Sequence, residues 1–256
     1  MARLPRRLGH AEEATLGEHL EELRGRLFVM LGAIALGAVV AYVFHTHVLD
    51  WLNRPLPADH KPPVTLGVTE PFTITITVSI YAGFVLALPV VLWQLWLFFA
   101  PAFDPMAERK VLILAACAVL LGAAGVAFGY WILLPRAVHF LTNYDDPQFH
   151  QLIRASSYYS FVVTVLVGVV LVFQTPLIVL GLVALGVLSS RTLRKQRRMG
   201  YLITAAVALA LPGPDPVTTF LELLPMWVLF EASIWLAWFF ERRQAKAAPA
   251  SATLGG

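Results

Sequence analysis

The feature that most constrains this chain is a series of six apolar segments, at about 27–44, 72–99, 109–135, 158–188, 199–211 and 217–240, parted by short polar stretches. A helix rises 1.5 Å per residue, so about 20 apolar residues cover the ~30 Å hydrocarbon core of a bilayer. Five segments reach or approach that length, although Glu222, Pro225 and Glu231 interrupt the last. The fifth does not: Tyr201 to Leu211 makes only about 17 Å of helix before Pro212-Gly213-Pro214-Asp215-Pro216 turns the chain back. Hydrophobic residues make up 58% of the chain and charged residues 14%, against about 45–50% and about 25% in a soluble domain. Because the apolar residues come in separate runs, bilayer crossings explain them and one large soluble core does not. The expected fold is all-α: a polytopic membrane protein of six transmembrane helices with short fifth and sixth helices.

Lys and Arg bias the loops that carry them toward the cytoplasm. With the N-terminus inside, the inner segments hold Arg3, Arg6, Arg7, Arg24 and Arg26, Arg109 and Lys110, Arg191, Arg194, Lys195, Arg197 and Arg198, and Arg242, Arg243 and Lys246. The outer loops hold only Arg54, Lys61, Arg136 and Arg154. Fifteen against four sets both ends in the cytoplasm. The whole chain, 1–256, reads as one membrane domain: a cytoplasmic segment 1–26, a membrane region 27–240 and a disordered cytoplasmic tail 241–256. Pro89, Pro135, Pro176 and Pro225 lie inside apolar segments, where each removes a backbone donor and is expected to kink or end its helix. Bent helices of this kind can enclose a concave face.

Several function classes recede on the same grounds. The net charge of +3 flanks apolar runs instead of forming a basic face, so no nucleic-acid partner is expected. Arg6-Arg7 does not open a signal peptide, because the acidic stretch Glu12 to Glu22 precedes the first apolar run. The single cysteine, Cys117, is expected to be a small buried hydrophobe. Seven histidines offer no metal-ligand spacing, no G-x-x-x-x-G-K-S/T loop holds a nucleotide, and no G-x-S-x-G elbow is present. Neither enzyme nor cofactor is expected.

Three polar constellations remain. Before the first crossing, Glu18 and Glu22 share a helix face at i, i+4, with Leu23 and Arg24 beside them. Carboxylates in such a place suit guanidinium groups, which pair with them through two parallel hydrogen bonds. The plainer alternative is a solvated lead-in helix in which Glu22 pairs with Arg26 one turn on. In the first cytoplasmic loop, Trp96 to Phe103, including Phe98, is followed by Glu108-Arg109-Lys110. Alone this reads as an aromatic belt with anchoring charges. At membrane depth lie Gln174, Glu222 and Glu231. An ionised acid in hydrocarbon costs at least ~2.5 kcal/mol, so each Glu should face protein or a cavity, or be protonated. Gln174 precedes Thr175-Pro176, where its amide is placed to satisfy the carbonyl freed by the proline.

Taken in order, His19 to Leu27, Trp96 to Ala102, Glu108-Arg109, Phe173-Gln174-Thr175-Pro176, Leu193 to Arg197, Pro212 to Pro216 and Leu229-Phe230-Glu231 resemble the landmarks of the TatC family, over the chain from about His19 to Phe240. The resemblance implies a receptor in the cell inner membrane that binds twin-arginine signal peptides of folded cargo at its cytoplasmic face. It implies acidic contacts at Glu22 and Glu108 with Leu23, Arg24 and Phe98 beside them, an embedded polar position at Gln174, and the outer-turn Asp at Asp215. Implied partners are the single-span subunits TatA and, where present, TatB, along with membrane lipids and further copies of the chain, with transport driven by the protonmotive force. Gln174 stands where some members carry Glu, and Glu222 is an acid with no family counterpart. Two rivals from other classes are a small-molecule or ion transporter using Glu222 and Glu231, and a membrane-embedded enzyme.

Overall fold

A computed structural model describes residues 16–99, 107–144, 152–184, 186–210 and 216–247. Ten α-helices are formed among them: α1 (Leu16–Val43), α2 (His45–Asn53), α3 (Glu70–Phe99), α4 (Ala107–Phe128), α5 (Leu134–Thr142), α6 (Ala155–Phe173), α7 (Thr175–Ala184), α8 (Ser190–Lys195), α9 (Arg197–Ala210) and α10 (Pro216–Ala247). A π-helical turn, Gly129–Leu133, joins α4 to α5, and α6 and α7 meet at Gln174, so each pair makes one crossing. Five helical stretches among the described residues are long and apolar enough to span a membrane: Leu20–Val43, Glu70–Leu95, Ile113–Thr142, Ala155–Ala184 and Thr218–Arg242. The fifth crossing, α9, has 14 residues and therefore about 21 Å of length. With it the count is six, and the distribution of Lys and Arg orients them with both ends inside.

The sixth crossing departs from the expected short helix. α10 runs for 32 residues and passes Pro225 without a break, because at that depth its exposed face can bend toward lipid while neighbouring helices hold the other. Pro89 is likewise carried inside α3. Pro135 sits in the first turn of α5, where a missing N–H matters least. The π turn before it absorbs the misfit, and the Leu134 amide donates to the carbonyl of Gly129.

Close backbone contact sets how α1 and α3 cross. A Cβ on Gly37 would lie 2.6 Å from the carbonyl oxygen of Gly83, and one on Gly83 would lie 2.3 Å from the amide of Ala38. In lipid, where apolar burial drives little association, such small-residue seams let helices touch. The main core lies toward the outer side, where Leu52, Val78, Leu133, Val162 and Val165 pack together. There α2 is fixed by its own backbone: Tyr130 donates to the carbonyl of Trp51 at 2.9 Å and Tyr158 to that of Leu52 at 2.7 Å. Beside this core, an almost wholly apolar cavity of about 270 Å³ opens between α1, α2, α3 and α6, lined by Val40, Phe44, Val48, Tyr81, Val85 and Leu166. Cys117, expected to be buried, is exposed on α4, because its helix turns that face away from the bundle.

Candidate functional site

At the inner end of α1, Arg26 lies between two partners. Its Nε donates to Glu22 Oε1 at 3.0 Å and its Nη1 to Gln94 Oε1 on α3 at 3.4 Å. The pairing of Glu22 with Arg26 that the i, i+4 spacing permits is therefore formed, with the Glu22 side chain 20% exposed. Gly37 opposite Gly83 and Arg26 opposite Gln94 define one antiparallel register, eleven residues apart along each helix. One turn further toward the cytoplasm the same register sets Glu22 level with Phe98, which is half-buried. Leu23 and Arg24 are exposed beside them, and the Arg24 guanidinium lies 5.7 Å from the centroid of the Phe28 ring.

Glu108 falls in the first turn of α4, the helix that follows α3 across the cytoplasmic loop, and Glu18 falls in the first turn of α1. Their side chains, and Asp215 altogether, lie outside the described residues. What the structure brings together is thus Glu22, Arg26 and Gln94, with Phe98 at the level of Glu22 in the α1/α3 register. Gln94, which completes the hold on Arg26, went unnoticed in the sequence because nothing local marks a glutamine inside an apolar run as facing another helix.

At membrane depth, Gln174 is 3% exposed and its Nε2 donates across to the carbonyl of Ala118 in α4 at 3.2 Å. Gly122 lies beside this contact: a Cβ there would meet Leu88 Cδ2 at 3.1 Å and the Gln174 nitrogen at 3.4 Å. The role expected of Gln174 belongs instead to its neighbour. Pro176 leaves the carbonyl of Val172 without its helical donor, and the Thr175 hydroxyl takes it at 2.6 Å. A hydroxyl one residue before the proline reaches back three residues, whereas the Gln174 side chain turns off the helix.

Glu231 is clamped between α9 and α10, accepting from the Tyr201 hydroxyl and from Arg197 Nη2 at 3.3 Å. Aromatic packing closes round it, with Tyr201 edge-on to Phe230 at 5.6 Å, and Phe230 occupies the space above Gly200, where a Cβ would overlap the ring. Glu222, about two and a half turns earlier in α10, is 3% exposed and so faces protein, as an acid at that depth must. On the outer side, Glu70 at the start of α3 was missed. Its carboxylate accepts from the amides of Leu66 at 2.8 Å, Gly67 at 3.1 Å and Ser156 at 3.2 Å, and from Arg154 Nε at 3.0 Å. The available signal was an acid in the first turn of a helix, directly before Pro71.

A six-crossing helical bundle with both ends inside, its polar groups shared between helices and an open apolar cavity toward its outer side, defines a multi-pass membrane protein. The family model described as "Sec-independent protein translocase protein (TatC)" matches residues 18–225. The chain is 32% identical over 231 residues to the TatC protein of Carboxydothermus hydrogenoformans, covering 90% of this chain and 95% of that one. It is 33% identical over 241 residues to TatCd of Bacillus subtilis, with coverage of 94% and 98%. A crystal structure titled as the twin arginine translocase receptor TatC superposes with a TM-score of 0.77 at 31% identity, covering 86% of this chain and 99% of that chain. The chain belongs to the TatC family. It is a protein-transport component of the cell inner membrane, and the family is one of translocases and not of enzymes.

Proposed function

We propose that this chain is the signal-peptide receptor of its translocase, with Glu22 and Glu108 taking the paired arginines of a twin-arginine signal peptide. The observation that carries this reading is that the Glu22 carboxylate stands at the cytoplasmic end of α1, level with Phe98 and already holding a guanidinium, that of Arg26. Arg26 acts as a resident stand-in. The pair is only partly exposed, but Gln94 offers Arg26 a second partner once Glu22 is taken. Exchanging one guanidinium for another gains little by itself, so the preference for two arginines comes from engaging a second carboxylate, Glu108, at the start of α4. Leu23 and Phe98 supply apolar contact for the residues that follow, with Arg24 and Glu18 at the rim.

The wider reading follows from the family. The solved relative is titled a receptor. By that likeness this chain nucleates a complex with TatA and, where present, TatB, in which Gln174, Glu222, Glu231 and Asp215 face the partner helices; the complex includes further copies of the chain and uses the protonmotive force. The test is site-specific crosslinking of a twin-arginine peptide to membranes bearing Glu22→Ala, Glu108→Ala or both. Loss of the crosslink in each single variant, with the protein still inserted, is expected, and Arg-to-Lys peptides should crosslink weakly because an ammonium cannot form the planar fork. Undiminished crosslinking by the double variant refutes the site.

A further inference from the structure

At the inner end of the sixth crossing, α8 is bound to the last turns of α10. Glu241 accepts from the amide of Ser190 at 2.8 Å and from its hydroxyl, which places a carboxylate at the start of α8. Arg194 is thereby carried over α10, its guanidinium carbon 5.2 Å from the ring centroid of Trp238 and 5.8 Å from that of Trp235. Arg242, one turn beyond Trp238, lies 4.0 Å from the same Trp238 ring. Two guanidiniums that share an indole stand no further apart than the two distances laid end to end, about 9 Å. Among the described residues neither has a carboxylate in ion-pair reach, and Glu241, next to Arg242 in the chain, is engaged by Ser190. Arg191, Lys195 and Arg198 are exposed on the same side and add to the positive field.

Below this pair the surface is apolar. Trp235 is 58% exposed, Leu236 46% and Phe239 50%, within the stretch of α10 that spans the membrane. A ligand for this place needs an anion at the membrane surface and a hydrocarbon part beneath it. We propose that Arg194 and Arg242, held on Trp238, seat the phosphate of an anionic glycerophospholipid of the cytoplasmic leaflet, with its acyl chains along Trp235 and Phe239. Charge complementarity selects the phosphate, and the uncovered apolar face directly below selects a lipid over a soluble anion. The site is separate from the signal-peptide reading, and its test reads lipid and not export.

Purified full-length protein is mixed in detergent with phosphatidylglycerol or phosphatidylcholine, and retained lipid is counted by native mass spectrometry. Phosphatidylglycerol should be retained preferentially, and Arg194→Gln with Arg242→Gln should weaken it roughly thirtyfold. Arg136→Gln, on the outer side, should leave it unchanged. Equal retention of both lipids, or unchanged retention in the double variant, overturns the proposal, and so does displacement of the lipid by millimolar inorganic phosphate, which would mark a site for soluble anions. A second measurement needs no variant: phosphatidylglycerol carrying a nitroxide near its headgroup should quench tryptophan emission more than phosphatidylcholine labelled alike. Equal quenching counts against the site.

Discussion

Glu70 holds together three pieces of chain that the sequence keeps far apart: the first outer loop, the start of α3 and the start of α6. Each carboxylate oxygen accepts two hydrogen bonds, from Leu66 and Gly67 on one side and from Arg154 and Ser156 on the other. Replacing it with Ala leaves three amides and a guanidinium to find other acceptors. Glu70→Ala should therefore lower the Tm in detergent by several degrees and speed hydrogen exchange at Leu66, Gly67 and Ser156, while Glu70→Gln, which keeps an acceptor, should do less; unchanged exchange in Glu70→Ala would show that the loop is held by its paired backbone at Val64 alone. Gln174 and Thr175 carry the same lesson. The sequence located the polar groups beside Pro176, but which of them reached the freed Val172 carbonyl depended on side-chain direction, and the shorter hydroxyl took it.

Between elements, the crossing of α1 and α3 rests on the absence of two side chains. Gly83→Ala would drive a methyl group to 2.3 Å from the Ala38 amide, so the helices must separate, at a cost of about 1–3 kcal/mol. Gly32 is the internal control, since a Cβ there meets nothing within 4 Å. Thermal unfolding should show Gly83→Ala destabilised and Gly32→Ala unchanged or slightly stabilised, Ala being the better helix former. Equal Tm values for the two variants would mean that the seam is not tight in the membrane. This contact matters beyond stability, because it sets the register that brings Glu22 level with Phe98. A shift of one turn between the two helices would part them.

For the molecule as a whole, the six crossings and the TatC membership make it a translocase component, and on the function proposed above export of twin-arginine cargo depends on this chain. Deleting its gene should leave a twin-arginine reporter inside the cell, and fractionation reads the result directly; normal export would remove the chain from that role. The rival small-molecule or ion transporter predicts solute flux in proteoliposomes holding this chain alone, and none is expected. The number of crossings, their orientation and the short fifth helix could be read along the chain, because hydrocarbon thickness and the placement of Lys and Arg act locally, one segment at a time. So could the i, i+4 pair of Glu22 and Arg26, which one helix builds alone. Helix packing alone settles that Gln94 shares Arg26, that Gln174 reaches α4, that Glu70 ties the outer loop to α6 and that Arg194 lies on Trp238. Each of these needs two distant segments at one depth and rotation, and that is fixed by which helix faces pack together.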